Sequence, residues 1–200
     1  MTRFDLSPEV KQPIVEATLR AFLSADYKEA IRIALDYPNK CGRGPTSMGG
    51  GMVMGGPPPA QLLAYLATIR PTILSSVPPE IVETMRREAA LEELLGEENK
   101  TEWKPEENFV SFKRRFARGM LRFAASYQYN LLVYSQSGVS QVQILCGGMD
   151  WLPTQREYTC LVCRPLHNTV YPIGEVPELP HPPCIGYYGC RCRYSPIFER

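Results

Sequence analysis

The chain has 200 residues, 44% of them hydrophobic, and a formal net charge of +1. This fits one domain with an N-terminal extension, or two small units, of ordinary soluble composition. Near-neutrality excludes a global polyelectrolyte attraction to nucleic acid, and no apolar run approaches the roughly 18 residues that span a bilayer.

Charge is unevenly spread. Residues 80–107 hold ten acids and four bases, whereas residues 108–149 hold five bases and no acid. An acidic segment is thus followed directly by a basic one. The opening stretch, MTRFDLSPEVKQP, carries acids early and lacks the apolar core of a signal peptide, which predicts a cytosolic protein. Seven cysteines in that compartment do not predict a disulfide framework, and an odd number cannot pair completely. Five of the seven fall between Cys160 and Cys192, while Cys41 and Cys146 stand apart.

In chain order, residues 8–37 read as helix. Ser7 and Pro8 make a cap and first-turn pair, and Ile14, Val15, Leu19, Phe22, Leu23, Ile31 and Leu35 recur near the helical period, with a break point around 24–26. Pro38 stops the pattern. Residues 39–59 hold CGRGP, GGGMVMGG and PPP, a glycine and proline density that no regular element tolerates. This segment lacks the GK[ST] ending of a phosphate-binding loop, so it reads as a linker. Residues 60–69 form a short apolar helix ended by Pro71. Residues 79–95 form another, rich in glutamate, with Gly96 as its C-cap. Residues 97–107 are polar loop.

The strongest helix covers 108–135. Phe109, Phe112, Phe116, Met120, Phe123, Tyr127 and Tyr134 share one face, which predicts core packing. Arg114, Arg118 and Arg122 recur at i, i+4 and i+8 on the opposite face. No acid on this helix neutralises them, so they read as a solvated face or as a contact for phosphate or an acidic partner. Gly138 ends the helix. Residues 139–146 alternate as an antiparallel strand would, and 169–173 make a second short strand.

The cysteine-rich end runs Cys160-Leu-Val-Cys163, His167, His181-Pro-Pro-Cys184 and Cys190-Arg-Cys192. Two residues between Cys160 and Cys163 let both thiolates face one tetrahedral ion from a tight turn. A structural zinc takes four ligands. Cys160, Cys163, Cys190 and Cys192 are the obvious set, and Cys184 or His181 can replace one of the last two. The segment has few large aliphatic residues, and small units of that kind need a staple. Reduced thiols and disulfides are the other states open to these cysteines. Catalysis is not indicated: no Asn or Asp is placed to orient either histidine, and the H-x-E of zinc deaminases is absent.

The order of several motifs carries a resemblance. Tyr127 through Gly138-Val139, then Thr159-Cys160-Leu161-Val162-Cys163, Val170-Tyr171-Pro172-Ile173, Leu179-Pro180-His181-Pro182-Pro183-Cys184 and Cys190-Arg191-Cys192-Arg193 resemble the C-terminal domain of the phage Mu F-like head morphogenesis, or minor head, proteins. The resemblance covers roughly residues 110–196. Those proteins have a helix, a Gly-Val turn into a strand, a TCxxC step, a strand ending Tyr-Pro-Ile, and an uninterrupted closing HPxCRC. Here residues 185–189 separate HPPC from CRC, which leaves Cys184 and Cys190 as two candidates for one family position. Asn168 stands where the family often has glycine, and Asn also tolerates a left-handed turn.

The resemblance implies a structural head component of a tailed phage or prophage, located in the virion and assembled in the host cytoplasm. Its implied partners are portal and other capsid proteins, in multiple copies per particle, and packaged double-stranded DNA, with no membrane. The competing readings are a zinc-knuckle nucleic-acid-binding module and a metal-dependent nuclease or toxin-type enzyme. The expected organisation is a helical segment (1–38), a linker (39–59), a second helical segment (60–107) and the minor-head-like unit (108–200). The expected fold class is α+β, with N-terminal helices, a long helix and a small β-rich unit closed by Cys and His.

Overall fold

The computed structural model describes residues 8–35, 58–95, 109–146, 160–184 and 190–198. The expected linker up to residue 57, the Gly96 cap, the 97–107 loop, Cys41 and the 185–189 insertion lie outside the described residues. The α+β class holds. Five helices, α1 (Pro8–Leu23), α2 (Tyr27–Leu35), α3 (Ala60–Thr68), α4 (Pro79–Leu95) and α5 (Phe109–Gln136), precede a small antiparallel sheet. Its strands are β1 (Gln141–Cys146), β2 (Val170–Pro172) and β3 (Cys192–Ile197). Among the described residues no helix is long and apolar enough to cross a membrane.

The helix read over 8–37 is two helices, parted at the expected break point. Ala25 sits at φ 60. Asp26 N–H bonds to the Ala21 carbonyl at 3.0 Å and Ala25 N–H to the Phe22 carbonyl at 3.1 Å, a left-handed C-terminal cap built on alanine instead of glycine. The Asp26 carboxylate then accepts the Glu29 N–H at 3.1 Å and so starts α2.

Leucines of α3 pack with Met85 and Leu94 of α4 and with Met120 and Leu121 of α5 in one helical core. Buried alanines at 30, 34, 89, 90, 117 and 125 let the helices approach closely. Arg86 is buried in this core, yet its charge is matched. Its guanidinium donates to the Leu66 carbonyl and, at 2.8 Å, to the Ile69 carbonyl, satisfying the free end of α3 where cations are favoured.

The arginine face of α5 is corrected by the structure. Arg118 and Arg122 do not face solvent; their side chains are 14% and 19% exposed. Arg118 Nε lies 3.2 Å from Glu92 and its Nη1 3.4 Å from Glu88. Arg122 donates to Glu93 at 2.5 Å and also to Glu92. Acids of the first segment therefore neutralise bases of the second across the α4–α5 interface. Both arginines are thus held by carboxylates of α4. The side chain of Arg114 lies outside the described residues, as do those of Phe109 and Phe112. The remaining aromatic stripe packs inward as expected: Met120 and Tyr127 are buried, and Phe116, Phe123 and Tyr134 pack on the two cores.

α5 belongs to both cores. Its middle lies in the helical core, and Tyr127, Leu131 and Tyr134 pack in the core of the sheet. Gly138, at φ 78, closes it: Val139 N–H bonds to the Tyr134 carbonyl at 3.0 Å and Gly138 N–H to the Ser135 carbonyl at 3.1 Å. The chain turns directly into β1, the central strand in the order β2-β1-β3. Along β1, Val142, Ile144 and Cys146 point inward. The prolines of the sheet, Pro172 and Pro196, lie on the two outer strands, where a missing N–H breaks no central ladder. A second tie joins the cores. The Glu178 carboxylate accepts the Thr72 N–H at 2.7 Å and the Thr72 hydroxyl at 2.6 Å.

Replacing Arg122 by alanine leaves Glu93, whose side chain is 3% exposed, as an uncompensated buried charge. The expected loss is about 3 kcal/mol, read as a lower urea midpoint. A change of under about 0.5 kcal/mol, as for an ordinary surface arginine, would show that the seam contributes nothing.

Candidate metal centre

Four chain segments deliver the cysteines. The first is a tight turn: Cys163 N–H and Arg164 N–H both bond to the Cys160 carbonyl, at 2.9 and 3.1 Å, folding Cys160 and Cys163 back toward one point. A short 3-10 turn, Arg164–Leu166, follows, and Asn168 at φ 61 redirects the chain into β2, so the expected left-handed turn at this asparagine is present. Asn168 N–H bonds to the Ile144 carbonyl at 2.8 Å and fixes the turn against β1. His167 Nδ1 accepts the Cys146 N–H at 3.1 Å. Its role is to hold the end of β1 beside the cysteine turn.

The second segment is the 181–184 turn, closed by Cys184 N–H on the His181 carbonyl at 2.9 Å. The third is Cys190 and Cys192 at the start of β3. The fourth is the end of β1, where Cys146 stands directly opposite Cys192 in the antiparallel register.

The sulfurs converge. Cys160, Cys163 and Cys184 form one group, and Cys163, Cys190 and Cys192 another, with all ligand atoms within each group less than 4.8 Å apart. Zn–S bonds of about 2.3 Å in a tetrahedron set sulfurs roughly 3.8 Å from one another, so both groups can hold a metal ion. Cys163 is common to the two. All five cysteines read from the sequence fall in one or other group, but Cys160 and the Cys190–Cys192 pair, expected as ligands of one ion, fall in different groups joined through Cys163. Cys146, which stands alone in the sequence, joins them: its Sγ lies 3.1 Å from Cys192 Sγ and 3.1 Å from the Cys163 carbonyl. The signal that could have found it is the inward alternation of Val142, Ile144 and Cys146, which aims it at the same core.

His181 is close but differently placed. Its Nδ1 lies 3.6 Å from Cys163 Sγ, and its backbone N–H donates to Cys190 Sγ at 3.2 Å. It belongs to neither sulfur group. It is positioned to orient and stabilise thiolates from outside the ligand set.

Burial and polarity around the sulfurs are unequal. Cys146, Cys163, Cys190 and Cys192 are buried, while Cys160 and Cys184 are half-buried. Hydrogen bonds from the Cys163, Cys184 and Cys192 thiols, helped by the His181 N–H, pull Cys190 well below the usual thiol range. Hydrogen bonding to Cys146, Cys163 and Cys190, together with burial, pushes Cys192 up. Tyr127 and Tyr194 wall the site edge to face, with ring centroids 5.7 Å apart. Burial pushes both phenols above their ordinary range. The Tyr194 hydroxyl donates to the Pro177 carbonyl at 2.5 Å, which pins the loop leading to His181.

No protein-family model, no curated protein and no solved structure matches the chain.

Because His181 acts on the sulfurs from outside, His181→Ala should keep metal binding and weaken it by about 10–100-fold in chelator competition. Cys163→Ser should abolish it. Loss of all metal in His181→Ala would instead make the imidazole a direct ligand.

Proposed function

We propose that the C-terminal unit is a structural zinc knuckle, and that the chain is an assembly protein of a tailed-phage or prophage head that docks on portal and capsid subunits. The observation that carries the knuckle is the meeting of sulfurs from segments separated by up to 46 residues. Soft thiolates at tetrahedral spacing favour zinc in a structural role. Zinc would supply folding energy to a unit whose buried aliphatic residues are few.

The assembly role is supported by the order of the TCxxC, YPI, HPPC and CRC motifs, the resemblance described above. It is compatible with a scaffold whose charged side chains serve internal packing, as Arg118 and Arg122 do. The enzymatic alternative draws least support. Cys163, whose sulfur faces His181, would have to act as nucleophile with that imidazole as base, and Cys163 is 1% exposed and surrounded by other sulfurs.

The experiment is elemental analysis of chain purified under reducing conditions, beside Cys160→Ser. Bound zinc in the parent, with metal loss and unfolding in the variant, is the expected result. A folded, metal-free parent would refute the knuckle. The assembly role is tested separately, by quantitative mass spectrometry of purified particles. A fixed ring or shell copy number is expected, and absence from the particle would refute it.

A further inference from the structure

A tetrahedral zinc uses four ligands, yet six cysteine sulfurs converge in the C-terminal unit. Among the described residues they do not form one group of four: the two groups have three members each, and Cys146 adjoins the second through Cys192. Cys163 is a member of both sulfur groups. Cys190 belongs to the second group, and its sulfur also accepts the N–H of His181, on the turn that carries Cys184 of the first. The remaining four divide by side. Cys160 and Cys184 are grouped with Cys163 on the half-buried side, and Cys192 is grouped with Cys163 and Cys190 on the buried side, where it also meets Cys146.

We propose that the unit holds two metal ions in a binuclear thiolate cluster. Cys163 and Cys190 bridge the ions, Cys160 and Cys184 complete one tetrahedron, and Cys146 and Cys192 complete the other. The proposal rests on the metal-knuckle reading and extends it from one ion to two. Six thiols release six protons and two divalent cations enter, so the cluster carries a charge of −2 and nothing is oxidised or reduced. A soft d10 ion such as zinc suits an all-sulfur tetrahedral set.

Three local features fit this arrangement. The C-x-C spacing of Cys190 and Cys192, unusual for a single zinc, sets two buried sulfurs in one group at the entry to β3. Such neighbours suit a bridging sulfur beside a terminal one. The register then sets Cys146 opposite Cys192, which brings the last ligand from the central strand. His181 donates its N–H to Cys190 and lies by its ring against Cys163, so its two contacts fall on the two bridging sulfurs. Hydrogen bonds from outside the ligand set stabilise ligand charge, and a cluster with a net negative charge needs them most at its centre.

The full-length chain, reconstituted with zinc under reducing conditions and freed of excess metal, is weighed by native mass spectrometry and analysed for zinc. Two zinc ions per chain are expected, falling to one in Cys146→Ser and in Cys192→Ser. One ion in the parent, unchanged in Cys146→Ser, would overturn the binuclear cluster and leave the single knuckle standing. One ion with a mass lower by two hydrogens would overturn it by showing a Cys146–Cys192 disulfide. No ion would overturn both readings. Should the serine variants fail to fold, the parent loaded with cadmium-113 decides the matter. Two mutually coupled cadmium resonances support shared sulfurs, and a single resonance refutes them.

Discussion

The C-terminal unit is organised around the sulfur of Cys163. This one atom lies in both cysteine groups, beside the ring of His181, and its residue's carbonyl accepts from Cys146. Four stretches of chain that share no helix or hairpin are drawn to it. Few bulky aliphatic side chains are available here to do the same by apolar burial, and Val142, Ile144 and Leu179 are the main ones. A unit so small gains little from area alone. Polar and sulfur contacts at its centre must therefore set the geometry, and the strands, turns and prolines around them follow.

The helical body obeys a different constraint, charge satisfaction at a packed interface. α4 and α5 approach closely enough to bury carboxylates, and such carboxylates persist only if cations reach them. Arg118 and Arg122 do so on one side of the pair, while Arg86, on α4 itself, reaches the carbonyls at the end of α3. The three arginines thus join α3, α4 and α5 by directional bonds, which apolar packing alone would not supply. Directional bonds resist sliding of one helix along another, and so fix which residues of each helix meet.

Much of this was legible in the sequence. The apolar period located α3, α4 and α5 to within a residue or so, and the glycine after Ser137 marked the end of α5. The Cys-x-x-Cys turn and the later cysteines were visible as one chemical group. The legible features share a property: each is written in residues close together in the chain. What escaped depends on distant partners. The i, i+4, i+8 spacing of the arginines was plain, but their destination was on another helix, and a search for acids on α5 itself could not find Glu88, Glu92 or Glu93. The acid-rich and base-rich blocks already stood side by side, and reading them as two helices packed on each other would have paired them. Cys146 escaped for the same reason. It is 14 residues from Cys160, and only the β1–β3 register, a long-range pairing, brings it to Cys192. β3 itself was hidden because Pro196 argues against a strand until the strand is known to lie at an edge.

The double membership of α5 limits how the protein can be divided. A fragment beginning at α5 would look, from its motifs, like a self-sufficient module. It would carry Ala117, Met120, Leu121 and Ala125 bare on one flank, since their cover comes from α3 and α4. The Glu178 carboxylate would also lose the Thr72 groups that hold it. Such a fragment invites self-association through that apolar flank. The natural unit of heterologous expression is therefore the chain from α1 onward, and insolubility of the isolated C-terminal piece would reflect a missing neighbour and not a defective cysteine centre.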